Sequence, residues 1–216
     1  MPMAFCMLLA TALALTAPLR AGAQEPPPPL PHVVLDIRGS VPKFTTEPQL
    51  AESRGLLASE LPSRGFGGDL GLHLYLFKWK ALTVGIGGQV TLTRGVSSPA
   101  NGATTVGLRS VTERFSSITP QLSFNFGHGN GWSYISGGIG PAQRTLVPAG
   151  GAISVIDEER LRTVNYGGGA RWFIKSHLAF TFDVRFHQID PGTPQLGFAG
   201  SPRSTLLVMG GGVSIK

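Results

Sequence analysis

Residues 178–188 read LAFTFDVRFHQ. Leu178, Phe180, Phe182, Val184 and Phe186 occupy every second position, with Thr181, Asp183, Arg185 and His187 between them. Strict alternation of this kind predicts a β-strand with two chemically different faces. Seven further segments repeat the pattern: 33–41, 65–77, 81–93, 117–126, 132–142, 163–174 and 205–215. In 33–41, Val33, Leu35, Ile37 and Val41 oppose Asp36, Arg38 and Ser40. In 65–77, Phe66, Leu70, Leu72, Leu74 and Leu76 oppose Asp69, His73 and Tyr75. Segment 132–142 is the least regular, because glycines and Pro141 blur its faces.

The connections order these strands. Three are short, around Lys78-Trp79-Lys80, over 127–131 and over 175–177; four are long, over 42–64, 94–116, 143–162 and 189–204. Long and short alternate along the whole chain. Sequential antiparallel hairpins then carry all short turns at one end and all long loops at the other, the asymmetry of a bacterial outer-membrane barrel. The expected fold is all-β: a closed, antiparallel, eight-stranded, transmembrane up-and-down barrel with short periplasmic turns and four long extracellular loops. The segments are near the roughly 9–11 residues that a tilted membrane strand needs.

Apolar rows on nearly every strand form a belt too large to stand in water. Lipid covers such a belt, and unpaired backbone groups in lipid then force the sheet to close. The opposite faces gather Asp36, Arg38, Asp69, His73, Arg171, Asp183, Arg185 and His187, which are expected as a lumen charge network. Acids and arginines are equal in number there. That balance favours internal pairing over strong charge selectivity, since enclosed charges must pair or stay hydrated. Aromatics flank the short turns: Phe77, Trp79, Phe126, Trp132 and Trp172 are expected as the periplasmic-side interface girdle.

Composition sharpens the picture. Glycine is frequent, at 30 residues, and many glycines fall inside the alternating runs. On the polar face Gly67, Gly71, Gly85, Gly87, Gly167, Gly169, Gly210 and Gly212 would make room for large polar neighbours in a narrow barrel. Only 14% of residues are charged, with a net charge of +6 and no basic stripe, so nucleic acid is not an expected partner. The first residues, to Ala21-Gly22-Ala23, read as a secretory signal peptide over 1–23, although no Lys or Arg precedes the apolar run. A Pro-rich lead-in over 24–31 follows, and the barrel is expected over 32–216. The single cysteine, Cys6, falls in the leader, so no intrachain disulfide is expected.

The chain resembles the small eight-stranded outer-membrane β-barrel proteins, like the transmembrane domain of outer membrane protein A. VVLDIRGSV, GFGGDLGLHLYLF, YISGGIG, TVNYGGGARWFI, LAFTFDVRF and VMGGGVSIK carry the likeness, which covers nearly the whole mature chain. It implies a monomer in the bacterial outer membrane. Lipid and lipopolysaccharide are the implied surroundings, with insertion by the barrel-assembly machinery and a narrow interior. Family members usually end in Phe or Trp, where this chain has Ser214-Ile215-Lys216.

Chemistry is sparse. Some small barrels act on lipid A through a His-x-Ser pair, but two residues after His187 stands Ile189, and Ser204 or Thr205 would have to come close in space. Glu113 and the run Asp157-Glu158-Glu159 lie in or near long loops, where the acids could meet bridging cations or simply be solvated. Histidine spacing gives no zinc pattern, and no cofactor is expected. Residues 47–61 predict a short helix broken at Gly55, capping the barrel mouth or lying on its surface. The leading functional expectation is non-enzymatic: an envelope-structural, surface-interaction or limited small-solute passage role. The alternatives are a lipid A-modifying enzyme and a soluble secreted calyx with its Leu and Phe rows turned inward around an apolar ligand.

Overall fold

A computed structural model describes residues 32–98, 108–128, 130–195, 197 and 199–216. The expected signal peptide and Pro-rich lead-in lie outside the described residues. Eight antiparallel strands close on themselves in sequence order. They are β1 (Val33–Lys43), β2 (Gly65–Trp79), β3 (Leu82–Val96), β4 (Val111–His128), β5 (Gly131–Pro148), β6 (Leu161–Lys175), β7 (Leu178–Ile189) and β8 (Ser204–Ile215). β1 pairs with β8, so no edge is left open. Every predicted strand is present, and the alternation of short turns and long loops is as the sequence implies.

The short connections are tight. Lys80 and Ala81 alone join β2 to β3, and Lys80 adopts a left-handed φ of 54° to reverse the chain. Ser176 and His177 alone join β6 to β7. The long loops are partly ordered by packing. Pro48–Glu52 forms helix α1, and Gly55 follows it at φ 62°. Ala58–Glu60 adds a single 3-10 turn. Leu50 and Ala51 of α1 pack with Leu56, Leu61, Val111 and Leu146 over the loop end of β4 and β5. Of the two placements open to this segment, capping the mouth is the one observed.

The strand faces answer which way the pattern points. Through the middle of the barrel Ile37, Leu70, Leu72, Ile86, Ile118, Leu122, Ile135, Phe180 and Phe182 stand outward and exposed. Asp36, Arg38, Asp69, Arg171, Asp183 and Arg185 stand inward and are almost wholly buried. This orientation excludes the soluble calyx, which needs the Leu and Phe rows inside.

β4 and β5 are longer than the alternation suggests, at 18 residues each. The added residues lie at the loop end, where the pattern inverts. Val111, Phe115, Ala142 and Leu146 face inward, while Thr112, Arg114, Ser116, Gln143 and Thr145 face outward. The outer face of β4 and β5 therefore turns polar at the loop end, while apolar side chains join Glu113 and Arg144 inside.

Candidate functional site: a polar network sealed inside the barrel

Two acids organise the interior. Asp36 on β1 receives a two-pronged contact from Arg171 on β6: Nε to Oδ1 at 2.9 Å and Nη2 to Oδ2 at 2.6 Å. Ser214 donates to the same carboxylate from β8. Arg38 Nη1 lies 3.3 Å and His73 Nε2 3.5 Å from Asp36 Oδ2. Arg171 Nη1 further donates to Tyr75 Oη at 3.1 Å and Asn125 Oδ1 at 3.3 Å. Its guanidinium carbon sits 4.1 Å from the centre of the Tyr134 ring. A planar, forked cation suits this arrangement of two carboxylate oxygens and a ring face.

Asp183 on β7 is the second centre. Arg185 donates to it through Nε and Nη2, each at 3.0 Å. The remaining Arg185 donors reach Asn165 Oδ1 at 2.8 Å and Ser136 Oγ at 2.9 Å. Tyr134 joins the two centres: its hydroxyl donates to Asp183 Oδ2 at 2.6 Å and accepts from Arg38 Nη1 at 3.2 Å. A polar chain continues across the wall. Thr91 and Gln89 donate to Asp69 Oδ1, and Gln121 donates to Gln89 Oε1 and Asn165 Oδ1. Buried charges of both signs are thus met by ion pairs and by neutral amides and hydroxyls.

Close-packed glycines admit these side chains. A Cβ at Gly85 would lie 2.7 Å from Tyr75 Cδ1, and one at Gly169 would lie 2.9 Å from Tyr134 Oη. Both rings need the wall bare at those points.

Of the expected network residues, Asp36, Arg38, His73 and Arg171 converge on one carboxylate, and Asp183 pairs with Arg185. Asp69 is held by neutral donors. His187 sits elsewhere, edge-on to Phe115 at 5.1 Å between ring centres. Neither of its ring nitrogens has a hydrogen-bond partner among the described residues. Ser204, one of the two hydroxyls that a nucleophilic role would call on, instead receives Arg144 Nη1 at 2.9 Å. Tyr134, Ser136 and Asn165 also belong to the network; of these, Tyr134 and Ser136 escape sequence reasoning. The glycine-rich neighbourhood of Tyr134 hides which face it takes, while Asn165 shows its face by alternating with Val164 and Tyr166.

Apolar layers close the network off. At the short-turn end Val34, Tyr75, Trp132, Phe173 and Ala179 form one buried cluster. Trp132 is therefore a correction to the girdle: it is only 3% exposed and packs against Phe173 at 4.6 Å between ring centres. It lies opposite Arg171 in the β5–β6 register, on the inward parity. Phe77, Trp79, Phe126 and Trp172 do stand exposed on the outer surface. Toward the loops Phe44, Phe115, Ala142, Leu161, Ile189, Leu206 and Val208 form a second layer, below the α1 cluster.

The loop acids also differ from expectation. Glu113 lies in β4, fully buried, and receives Arg144 Nε at 2.7 Å. Asp157 is buried and ties three loops together. It accepts from Arg54 Nη2 at 2.6 Å and from the Leu146 backbone N–H, while the same Arg54 nitrogen donates to Ser201 Oγ. Glu159 accepts from the Thr193 N–H and hydroxyl, and Glu158 is exposed. Solvated charge thus describes Glu158 but not Asp157. Glu60 is a third anchor: burial pushes its carboxyl up, but the backbone N–H groups of Leu57 and Arg109, with the Arg109 guanidinium, hold it below its ordinary value. Among the described residues no group of three or more His, Cys, Asp or Glu side chains gathers as a metal site would require.

An inside-out closed barrel with a filled, polar interior defines a class of small outer-membrane barrel folds. Among solved structures the chain is similar to Neisserial surface protein A (NspA), at a TM-score of 0.53 and 11% identity, covering 86% of this chain and 97% of that one. It also matches the attachment invasion locus protein Ail of Yersinia pestis in complex with the heparin analogue sucrose octasulfate, at a TM-score of 0.47, 14% identity, and 85% and 96% coverage. No family model and no curated protein sequence matches the chain. At this identity the likeness to NspA shows the fold, an eight-stranded closed barrel of the small outer-membrane type. It is not specifically a likeness to the transmembrane domain of outer membrane protein A.

Proposed function

We propose that this chain is an integral outer-membrane barrel with a structural or surface-contact role, carried by its loops, and that it passes no solute. The observation that carries this reading is the pairing of an exposed apolar belt with an interior crossed by a buried polar network and two apolar clusters. Asp36, Arg171, Tyr134 and Asp183 bridge the middle, with apolar layers above and below. Hydrocarbon is the covering that fits the belt. The exposed Phe77, Trp79, Phe126 and Trp172 then lie at the periplasmic interface. Residues 1–23 would direct export and 24–31 would lead into the first strand. Insertion would use the barrel-assembly machinery, and the folded protein would be a monomer among lipid and lipopolysaccharide. No observation favours the enzyme reading, since His187 has no oriented nucleophile beside it.

Cell fractionation combined with an unboiled gel tests the proposal. The protein should enter the outer membrane and migrate faster unboiled than boiled. Recovery in the soluble periplasmic fraction would contradict the membrane reading. Stepwise ion conductance from the purified barrel in a planar bilayer would contradict the sealed lumen.

A further inference from the structure

Every strand carboxylate faces inward: Asp36, Asp69, Glu113 and Asp183 are all buried. The charges facing outward from the strands are cations. Two of these, Arg94 on β3 and Arg114 on β4, stand directly opposite each other in the register and are both exposed. Like charges placed this way destabilise a strand pair unless something neutralises them. Among the described residues neither arginine has an acidic partner. An anion from outside the chain fits between them.

Their height fits a lipid headgroup. Arg94 and Arg114 are each twelve residues along their strands from the paired Leu82 and Phe126 beside the short turns. At about 3.3 Å per residue and a tilt of roughly 40°, that separation is about 30 Å along the barrel axis, beyond the ~25 Å apolar band of such barrels. On β4 and β5 the outer face turns polar beside them, at Ser116 and Thr145, while exposed Phe66 stands opposite Arg94 on β2.

An apolar path descends from them. Arg94 and Arg114 border a groove of about 470 Å³ that also includes Leu92 and Ser116. Those two residues open a second groove of about 280 Å³ with Val90, Ile118 and Pro141, overlooked by Arg160. The next outward positions on the same strands, Gly88, Pro120 and Ile139, line a third groove of about 840 Å³. The dent has a local cause. The β4–β5 pairing is interrupted between Ser117 and Gln121, where Pro120 has no N–H to give. Gly138 and Gly140 let β5 press against the carbonyls of Pro120 and Ile118.

We infer that the outer face over β3, β4 and β5 holds one phosphorylated glycolipid of the outer leaflet, with phosphate between Arg94 and Arg114 and an acyl chain in the grooves below. This inference rests on the membrane reading and names the lipid neighbour that this face selects. A phosphorylated, multiply acylated glycolipid such as lipid A supplies both the anionic head and the length of chain.

The test is native mass spectrometry of the full barrel released from bilayers of three compositions: bisphosphorylated lipid A, its dephosphorylated form, and phosphatidylglycerol. Insertion is read separately by faster migration of the unboiled protein, so a failure to insert counts against the membrane reading and not against this site. The inserted protein should retain one lipid A. R94Q/R114Q, two exposed changes, should bind it about 30-fold more weakly, at roughly a factor of five per cation. G88F, which fills the lower groove from a position with ordinary contact distances, should also weaken retention. K78Q/K175Q at the opposite end should not. Equal retention by R94Q/R114Q, or equal retention of phosphatidylglycerol, would overturn the inference.

Discussion

Asp36 is the residue on which most of the interior depends. It supplies the counter-charge for Arg171, which is fully buried on another strand of the wall between Tyr75 and Asn125. Replacing one partner of such a pair strands the other, at a cost of about 3–5 kcal/mol. Asp36→Leu should therefore lower the thermal unfolding temperature in detergent by a wide margin. Asp183→Leu should do the same more mildly, because Asn165 and Ser136 still receive Arg185. A wild-type melting curve for Asp36→Leu would show that the lumen is wet enough to hydrate the arginine. The carboxylates and arginines of this network are legible in the sequence from alternation alone, because a charge on a strand whose other face is continuous leucine has one place to go. Trp132 is not. It follows a turn, as girdle residues do, and only the β5 register shows that it points inward. Bromine-labelled lipids should quench fluorescence from single-tryptophan variants retaining Trp79 or Trp172, and leave one retaining Trp132 bright.

At the scale of elements, the strands are predictable and the loops are not. Period-two patterning survives wherever one face meets a uniform medium. It fails in 111–116 and 143–148, where Val111, Phe115 and Leu146 share the inside with Glu113 and Arg144 and most outward positions are polar, so the sequence reads there as loop. The loop anchors are pairs distant in sequence, such as Arg54 with Asp157, and carry no local signal. Arg54→Ala should free the loop that contains α1 and speed its proteolysis without changing the barrel's unboiled migration. Cleavage at the wild-type rate would mean that apolar packing of Leu50 and Ala51 holds the cap alone. Glu60 adds a pH dependence. Its carboxyl titrates below the range of an unfolded chain. Its stabilisation is therefore fully present above the ordinary carboxylate range and is lost as pH falls through the lowered value. Amide protection at Leu57 and Arg109 should fall in strong acid, and Glu60→Gln should flatten that change.

For the whole molecule, one sequence property sets the architecture: apolar and polar residues alternate on eight strands whose closure leaves no free edge. Sheet closure satisfies the backbone, the interior network pairs Asp36 with Arg171 and Asp183 with Arg185, and the outer belt is left for a medium without hydrogen bonds.

The direction in which the Phe182 row points is the claim beneath all of this, since Phe182 is half-exposed outside and its neighbour Asp183 is enclosed. Spin labels placed singly at these two positions, in the barrel reconstituted into bilayers, read it directly. A lipid-soluble relaxing agent should act strongly on the label at 182 and weakly on the label at 183. The reverse order would place the charged row against hydrocarbon and contradict the account.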